Sequence, residues 1–366
     1  MRRANEPAPL HIAELAPVTF ENMQPGELLE QGQQYASRLL REGTKEINAN
    51  LIVGERDSIH SYMGTLVARD SLLMVAAYGV GKSEMTRHGY KVVDGIDPSR
   101  VKRVPARTDL TPTELTGKRQ VLKTEKRQDD GTTVTERTSG EVEPILSPTD
   151  QIITQDEGNR GNERSNAEML DITGSHMISL PDGSLAPMTE LEMFILAMNP
   201  RESMRTTTPL SGARAVRQAW AAILGQKKEW DAIEQSILFD EFEPNPNNIK
   251  PVITLEELHI AQAAVKHVIL DDTVVKPYIA RINRTMVNTI NTHEGNPGVV
   301  EGLSRPLKQI MHSTRVAALM SGRKEARPED VNVAVANKMT AMLGGLSMVE
   351  LNDIEPLVQS VIEQSN

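Results

Sequence analysis

The chain has 366 residues, with 50 acidic against 40 basic side chains and a formal charge of -10. That length permits two hydrophobic cores, and the acidic balance opposes non-specific attraction to nucleic acid. Cysteine is absent, which excludes a disulfide framework, a cysteine-ligated zinc and a thiol nucleophile together. No apolar run approaches the roughly 18 residues of a membrane span, and the basic residues at the N-terminus have no apolar segment behind them. The expectation is a cytoplasmic protein. The histidines show no metal-ligand spacing, and the 17 methionines read as core filling in a chain that is only 3% aromatic.

Residues 1–24, rich in Pro, Glu and Asn, read as an arm or surface strap. Leu28, Leu29, Tyr35, Leu39 and Leu40 fall at helical spacing and predict a helix over 25–45. A second helical pattern runs from Ile59 to Val67, followed by the short uncharged run Ser71 to Ala76, which has the character of a buried parallel strand. The charged, Thr-rich segment 118–149 reads as a protruding hairpin or loop with its turn at Asp129-Asp130-Gly131, and 176–193 as a candidate hairpin bending at Pro181-Asp182-Gly183. Leu191 to Met198 is strand-like, and helical patterns are expected from Ala213 to Leu238. The Pro/Asn-rich stretch 243–251 marks a boundary. Beyond it Thr254 and Glu257 form a capping pair, and helical patterns occupy most of 254–345. The chain therefore divides into an arm and helix (1–45), a strand-and-helix core (46–245), an all-helical region (246–355) and a tail (356–366).

The chemistry concentrates where the first strand ends. Glycines at Gly79 and Gly81 within Ala77-Tyr78-Gly79-Val80-Gly81-Lys82-Ser83-Glu84, between a strand and a helix, are the context of a phosphate-binding loop. There the backbone N–H groups turn toward phosphate oxygens, Lys82 reaches the β and γ phosphates of ATP, and Ser83 holds Mg2+. The usual first glycine of that pattern is Ala76 here. Gln151-Ile152-Ile153-Thr154-Gln155-Asp156-Glu157 then supplies a strand ending in two acids, of which Asp156 suits the metal shell and Glu157 the activation of water. Asn199, closing the next strand, suits a water-orienting role at the same sheet edge.

With these points in place the chain resembles the MoxR branch of the AAA+ ATPases. Thr108-Asp109-Leu110-Thr111-Pro112-Thr113-Glu114-Leu115-Thr116-Gly117 is similar to that family's Thr-x-Asp-Leu-x-Pro-x-Asp-x-x-Gly string. Asp156-Glu157-Gly158-Asn159-Arg160 is similar to its Asp-Glu-Ile-Asn-Arg, with Gly158 expected to loosen the start of the following helix. Ala197-Met198-Asn199-Pro200 matches its sensor 1 strand end. Pro209 to Gln218 keeps the frame around the family's trans-acting arginine, which falls on Arg217 with Arg214 as the competitor. Gly302-Leu303-Ser304-Arg305 resembles the sensor 2 string and gives that role to Arg305. Gly322-Arg323 and Arg327-Pro328-Glu329-Asp330-Val331 resemble the final helix signature.

The resemblance spans about residues 50–345. It implies an α/β fold, namely a P-loop AAA+ core with a parallel sheet followed by an all-helical lid, with ATP and Mg2+ in the cleft between the two. It further implies ATP hydrolysis in a homo-oligomeric, hexameric ring, and chaperone-like work on a protein client, with von Willebrand factor A domain proteins as associated partners. Three other readings stand beside it: a nucleotide-gated scaffold with little hydrolysis, a DNA-directed motor and a small-molecule kinase.

Overall fold

The structure is a computed structural model that describes residues 22–51, 56–76, 81–105, 107, 109–117, 120–127, 133–140, 144–160, 163–180, 182–200, 210–224, 245–293, 304–346 and 350–366. Most of the N-terminal arm, the bends at 129–131 and Pro181, and the loop residues Ala77, Tyr78, Gly79 and Val80 lie outside the described residues.

The first helical pattern is realised as α1 (Pro25–Arg38), a π turn over Leu39–Gly43 and α2 (Thr44–Asn50) in one continuous rod. After α3 (Arg56–Ala68) the chain enters β1 (Ser71–Ala76), every residue of which is buried. Then come α4 (Lys82–His88), the two-residue β2 (Val93–Asp94), β3 (Val101–Pro105) and α5 (Pro112–Thr116). A long antiparallel hairpin of β4 (Gln120–Arg127) and β5 (Thr133–Gly140) follows. Next are β6 (Ile152–Asp156), α6 (Glu163–Ser175), the short hairpin β7 (Met177–Ser179) with β8 (Leu185–Pro187), and β9 (Met193–Met198). After α7 (Gly212–Arg217) lies β10 (Trp220–Leu224).

Of the helix expected from Ala213 to Leu238, α7 bears out the first residues, β10 corrects 220–224, and 225–238 lies outside the described residues. Trp220-Ala221-Ala222-Ile223-Leu224 is a short uncharged run whose periodicity is compatible with either state, and pairing with β1 decides it.

The central sheet is parallel throughout, in the order β10-β1-β9-β6-β3. Such a sheet is covered on both faces, which explains why β1 and β9 are continuous apolar runs. Side chains alternate along a strand, and registered partners point the same way. Leu72 is registered with Trp220, and Trp220 packs against Gly64 of α3, where a Cβ would stand 2.5 Å from the indole. α3 therefore covers that face. Leu73 and Val75 point the other way, toward Gly344 of the helix described next.

The C-terminal helices are α8 (Leu255–Val265), α9 (Val275–Thr292), α10 (Ser304–Met320), α11 (Pro328–Leu346) and α12 (Leu351–Ser365). α8 begins with the expected capping box, in which Thr254 Oγ1 accepts from Glu257 N at 3.2 Å and the Glu257 carboxylate accepts from Thr254 N at 2.9 Å. It packs on α1 so closely that a Cβ on Gly32 would meet Ala264 Cβ at 2.2 Å. α12 packs on α9 and α11 through Ile354, Val358 and Val361. The helical region thus runs to residue 365 rather than ending in a tail from 356.

This region grips the sheet at the edge where the strands begin. Gln262 Nε2 donates to Leu66 O at 3.0 Å, and His312 Nε2 to Ala68 O at 2.9 Å. The buried Glu192 carboxylate, just before β9, accepts from Gln262 Nε2 at 2.6 Å and lies 2.9 Å from His259 Nε2. At the outer border of β10, the Ala221 N–H donates to Asn337 Oδ1 at 3.3 Å and Ser58 Oγ donates to Ile223 O at 2.7 Å. Among the described residues no helix is long and apolar enough to cross a membrane.

Candidate functional site

Because β1, β6 and β9 run parallel with β9 in the middle, their C-terminal ends open on one edge. Three separated stretches of sequence meet there. Gly81, with φ 85°, uses the left-handed backbone freedom of glycine to turn the chain into α4, whose first residue is Lys82. The Lys82 ammonium donates to Asn199 Oδ1 at 2.7 Å and to Met198 O at 3.3 Å, at the end of β9. Burial lowers the Lys82 pKa to about 8, against the opposing pull of the Glu157 carboxylate and with a further push from Arg160. The Gly158 N–H donates to Ala197 O at 3.0 Å and locks the end of β6 against β9.

Glu157 follows β6 with φ 51°, a left-handed conformation that a glutamate adopts only when its surroundings enforce it. Arg160 holds its carboxylate at 2.8 Å. Asp156 pairs with Arg103 of β3, the neighbouring strand. Burial and the charge of Arg87 lower the Arg103 pKa, and Glu84 opposes them. Arg87, Arg103 and Glu84 thus act on one another beside Asp156. Ser83 is exposed at the start of α4, and Glu84 stands 3.7 Å from His88 one turn later.

The described residues at this edge include side chains of the kinds that a nucleotide and a magnesium ion use. Among the described residues no group of three His, Cys, Asp or Glu could hold a metal by itself. Mg2+ needs no such cage, since it keeps several waters and takes one or two protein oxygens beside phosphate oxygens. Ser83 and Asp156 carry such oxygens at this edge, Asp156 being paired with Arg103, and Lys82 carries a cation.

The expectation of a loosened helix start falls on residues 161 and 162, which lie outside the described residues, while Gly158 itself is tightly packed. It stands ahead of α6 in a turn, and a Cβ there would approach Leu196 Cδ1 to 2.1 Å. Its carbonyl accepts from Arg214 at 2.8 Å, while the other terminal nitrogen of Arg214 reaches Gln155 Oε1 at 2.5 Å. Arg214 is 5% exposed, so its guanidinium is spent on its own chain and has no access to a neighbour. Glu114 closes the capping box of α5 with Thr111, which gives that acidic position a structural task.

Two expected site residues lie elsewhere. Arg217, half-buried, sits before β10, where its carbonyl accepts from Ser71 Oγ at the start of β1. A strand of this length separates the two edges by about 20 Å, so Arg217 is far from Lys82 of the same chain. Arg305, exposed in the first turn of α10, is close enough to depress the Arg217 pKa further after burial, while Asp171 opposes. Arg305 thus accompanies Arg217 and does not reach the Lys82 edge. The hydrogen bonds of the helical region at residues 66–68, 192 and 216–218 lie on this same side, away from the cleft expected between sheet and helices.

The residues that sequence reading passed over are Arg103 and Lys338. Arg103 is 53 positions from Asp156, and only the parallel pairing of β3 with β6 brings the two together. Lys338 looks like an ordinary surface lysine of a helix until the fold buries it.

No family model matches the chain. It is 25% identical over 298 residues to a Bacillus subtilis (strain 168) protein described as uncharacterized protein YeaC, a match covering 80% of this chain and 83% of that protein. A crystal structure from Cytophaga hutchinsonii ATCC 33406, of a protein described as a "putative ATPase", superposes with a TM-score of 0.63 at 14% identity, over 92% of this chain and 97% of that one. That likeness is one of fold.

Proposed function

We propose that the chain is an ATP-hydrolysing AAA+ ATPase of the MoxR type, working as a ring whose active sites are shared between subunits, and that it remodels a protein client. The observation that carries this is the meeting of the Lys82 ammonium, 2.7 Å from Asn199 Oδ1, with Glu157 at the C-terminal edge of a parallel sheet. A cation for phosphate, a carboxylate for water and an amide to orient that water are what phosphoryl transfer asks of a protein.

In this reading the loop 77–81 and Lys82 bind the phosphates of ATP, and Ser83 and Asp156 hold Mg2+, which would neutralise charge on the transferring phosphoryl group. Asn199 now accepts from Lys82. With phosphate oxygens taking over the ammonium, its amide is freed to position water. Glu157 accepts the proton of that water, and its enforced backbone conformation holds the carboxylate in place. Since Arg217 cannot reach its own Lys82, its partner is the cleft of an adjacent subunit, and Arg305 beside it is presented to the same cleft. A hexamer is the ring size implied by the family resemblance. The β4–β5 and β7–β8 hairpins are the candidate client contacts, and a von Willebrand factor A domain protein is the partner class that the same resemblance suggests.

The test is steady-state ATP turnover across protein concentration. Turnover per subunit should rise with concentration, fall about 100-fold or more in Glu157→Gln, and fall about 1,000-fold in Arg217→Ala. Turnover independent of concentration, with Arg217→Ala as active as the parent, sinks the shared site.

One observation favours the second reading, a nucleotide-gated scaffold. Arg103 already places a cation on Asp156, and a carboxylate held that way is a poor magnesium ligand. Under that reading Arg103→Ala raises Mg2+ affinity and turnover together. Under the first, Mg-ATP displaces the pair unaided and the substitution changes little.

A further inference from the structure

The backbone leading into β10 is held by an unusual set of side chains. Three successive carbonyls at the end of α7 accept from three different elements. Lys338 Nζ of α11 donates to Val216 O at 2.6 Å and to Gln218 O at 2.8 Å. Between them, Arg217 O accepts from Ser71 Oγ of β1 at 2.9 Å and from Gln309 Nε2 of α10 at 2.9 Å. Helix ends leave carbonyls without intrahelical partners, and a lysine is a suitable donor there. The burial is what sets this one apart, because Lys338 is only 1% exposed. A lysine is almost never fully buried unless its donors are used. Here they are used on the two residues that flank Arg217.

The surroundings of the ammonium belong to the same edge. The Asp70 carboxylate faces it, and the Arg305 guanidinium lies near enough to act on it. Asp70 is in turn faced by His312 of α10 and by His176, which precedes β7. Burial lowers the Lys338 pKa to about 7, and Asp70 opposes that shift. Deprotonation would still leave two N–H groups, enough for the two carbonyls. The grip on 216–218 therefore survives a change of charge.

We infer that Lys338 and Gln309 are positioning residues that aim Arg217, tying the arginine offered to a neighbouring subunit to the helical region of its own chain. The inference rests on the shared-site reading above. It adds a route for communication: a shift of α10 or α11 relative to β1 moves the 216–218 backbone, and with it the root of the arginine. The side chain itself adds a second tie, since its Nη1 donates to Ala213 O at 2.9 Å and it packs against Gly174 of α6. Only the root is steered from the helices.

The test measures ATP turnover, and binding of a fluorescent ATP analogue, for Lys338→Met and for Gln309→Ala. Each is assayed alone and mixed with an excess of Glu157→Gln subunits, which cannot hydrolyse but carry an intact Arg217. Lys338→Met alone should lose about 100-fold in turnover, the scale of a misplaced catalytic group, with analogue affinity unchanged. Gln309→Ala should lose about fivefold, the worth of one hydrogen bond. Mixing should return most of the lost turnover, because the variant's own cleft is intact and its neighbour's arginine is well placed. Gln309→Ala, on a half-buried residue, carries the test if Lys338→Met does not fold. The inference is overturned if mixing rescues Arg217→Ala but neither of these variants, or if their analogue affinity falls along with turnover. If Arg217→Ala is not rescued either, the shared-site reading has failed at its root and this inference falls with it.

Discussion

The two edges of the central sheet are built on opposite plans. At the edge where the strands end, the charged groups are half-exposed and their partners can be exchanged. Lys82 rests on Asn199 and a carbonyl, Asp156 on Arg103, and Glu157 on Arg160. Each of these cations or carboxylates can leave its partner for a phosphate, a metal ion or a water without stranding a buried charge. At the edge where the strands begin, Lys338 is shut away from solvent beside the half-buried Asp70, and the helical region fastens the backbone from several directions. One edge is suited to ligand exchange and the other to holding a position. A group whose geometry has to be fixed before its ligand arrives belongs on the second kind.

The sharpest way to break this contrast is to delete one charge from each edge. Lys82→Ala should abolish both ATP binding and turnover, whereas Arg217→Ala should leave binding intact and lower turnover about 1,000-fold. Equal loss of binding in the two variants, measured by equilibrium titration, would erase the distinction. A packing change comes next in size. Gly158→Ala forces a methyl against Leu196 inside the C-terminal edge, and should cost about 1–3 kcal/mol in chemical denaturation. Gly183→Ala in the β7–β8 bend has no neighbour within 4 Å but does have φ 87°, and should cost less.

Proton linkage separates the edges again, with pH acting on binding at one and on folding at the other. Phosphate oxygens favour the charged form of Lys82, whose pKa in the free protein is about 8. ATP binding therefore takes up a proton above that pH, and affinity should fall by up to about tenfold per unit as pH rises from 8. Affinity that stays flat from pH 7 to 9.5 would deny Lys82 a phosphate. For Lys338 the folded value of about 7 lies below the ordinary lysine value of 10.5. Between these the unfolded chain binds more protons, so stability relative to Lys338→Met should rise with pH from about 7 toward 10, and be lowest below 7. A denaturation difference that is flat over this range would remove the buried ammonium from the account. The smallest effect is that of a cap: Thr254→Ala should cost about 1 kcal/mol by removing the first-turn acceptor of α8.

What could be read in the sequence was what is local. β1, the capping box at Thr254, the turns of both hairpins, and the stretches bearing Lys82, Asp156-Glu157 and Asn199 all declare themselves over a dozen residues or fewer. β10 did not, because a five-residue apolar run has no period of its own until β1 pairs with it. Arg103 and Lys338 were invisible for a related reason, since their partners are 53 and 120 or more positions away. The location of Arg305 depends on how α10 docks on α3, which no local pattern encodes. Gly158 looked like a weakness in isolation, and it became a tight contact once Leu196 was seen above it.

The outer border of β10 bears on how the chain avoids aggregation. A sheet margin made of Trp220, two alanines, Ile223 and Leu224 is the sort of uncharged segment on which foreign strands add. Asn337 and Ser58 occupy an amide hydrogen and a carbonyl there, and α3 and α11 close over the strand from either side. The folded chain thus closes this margin against a foreign strand, which would otherwise find an uncharged run with free backbone groups on which to pair.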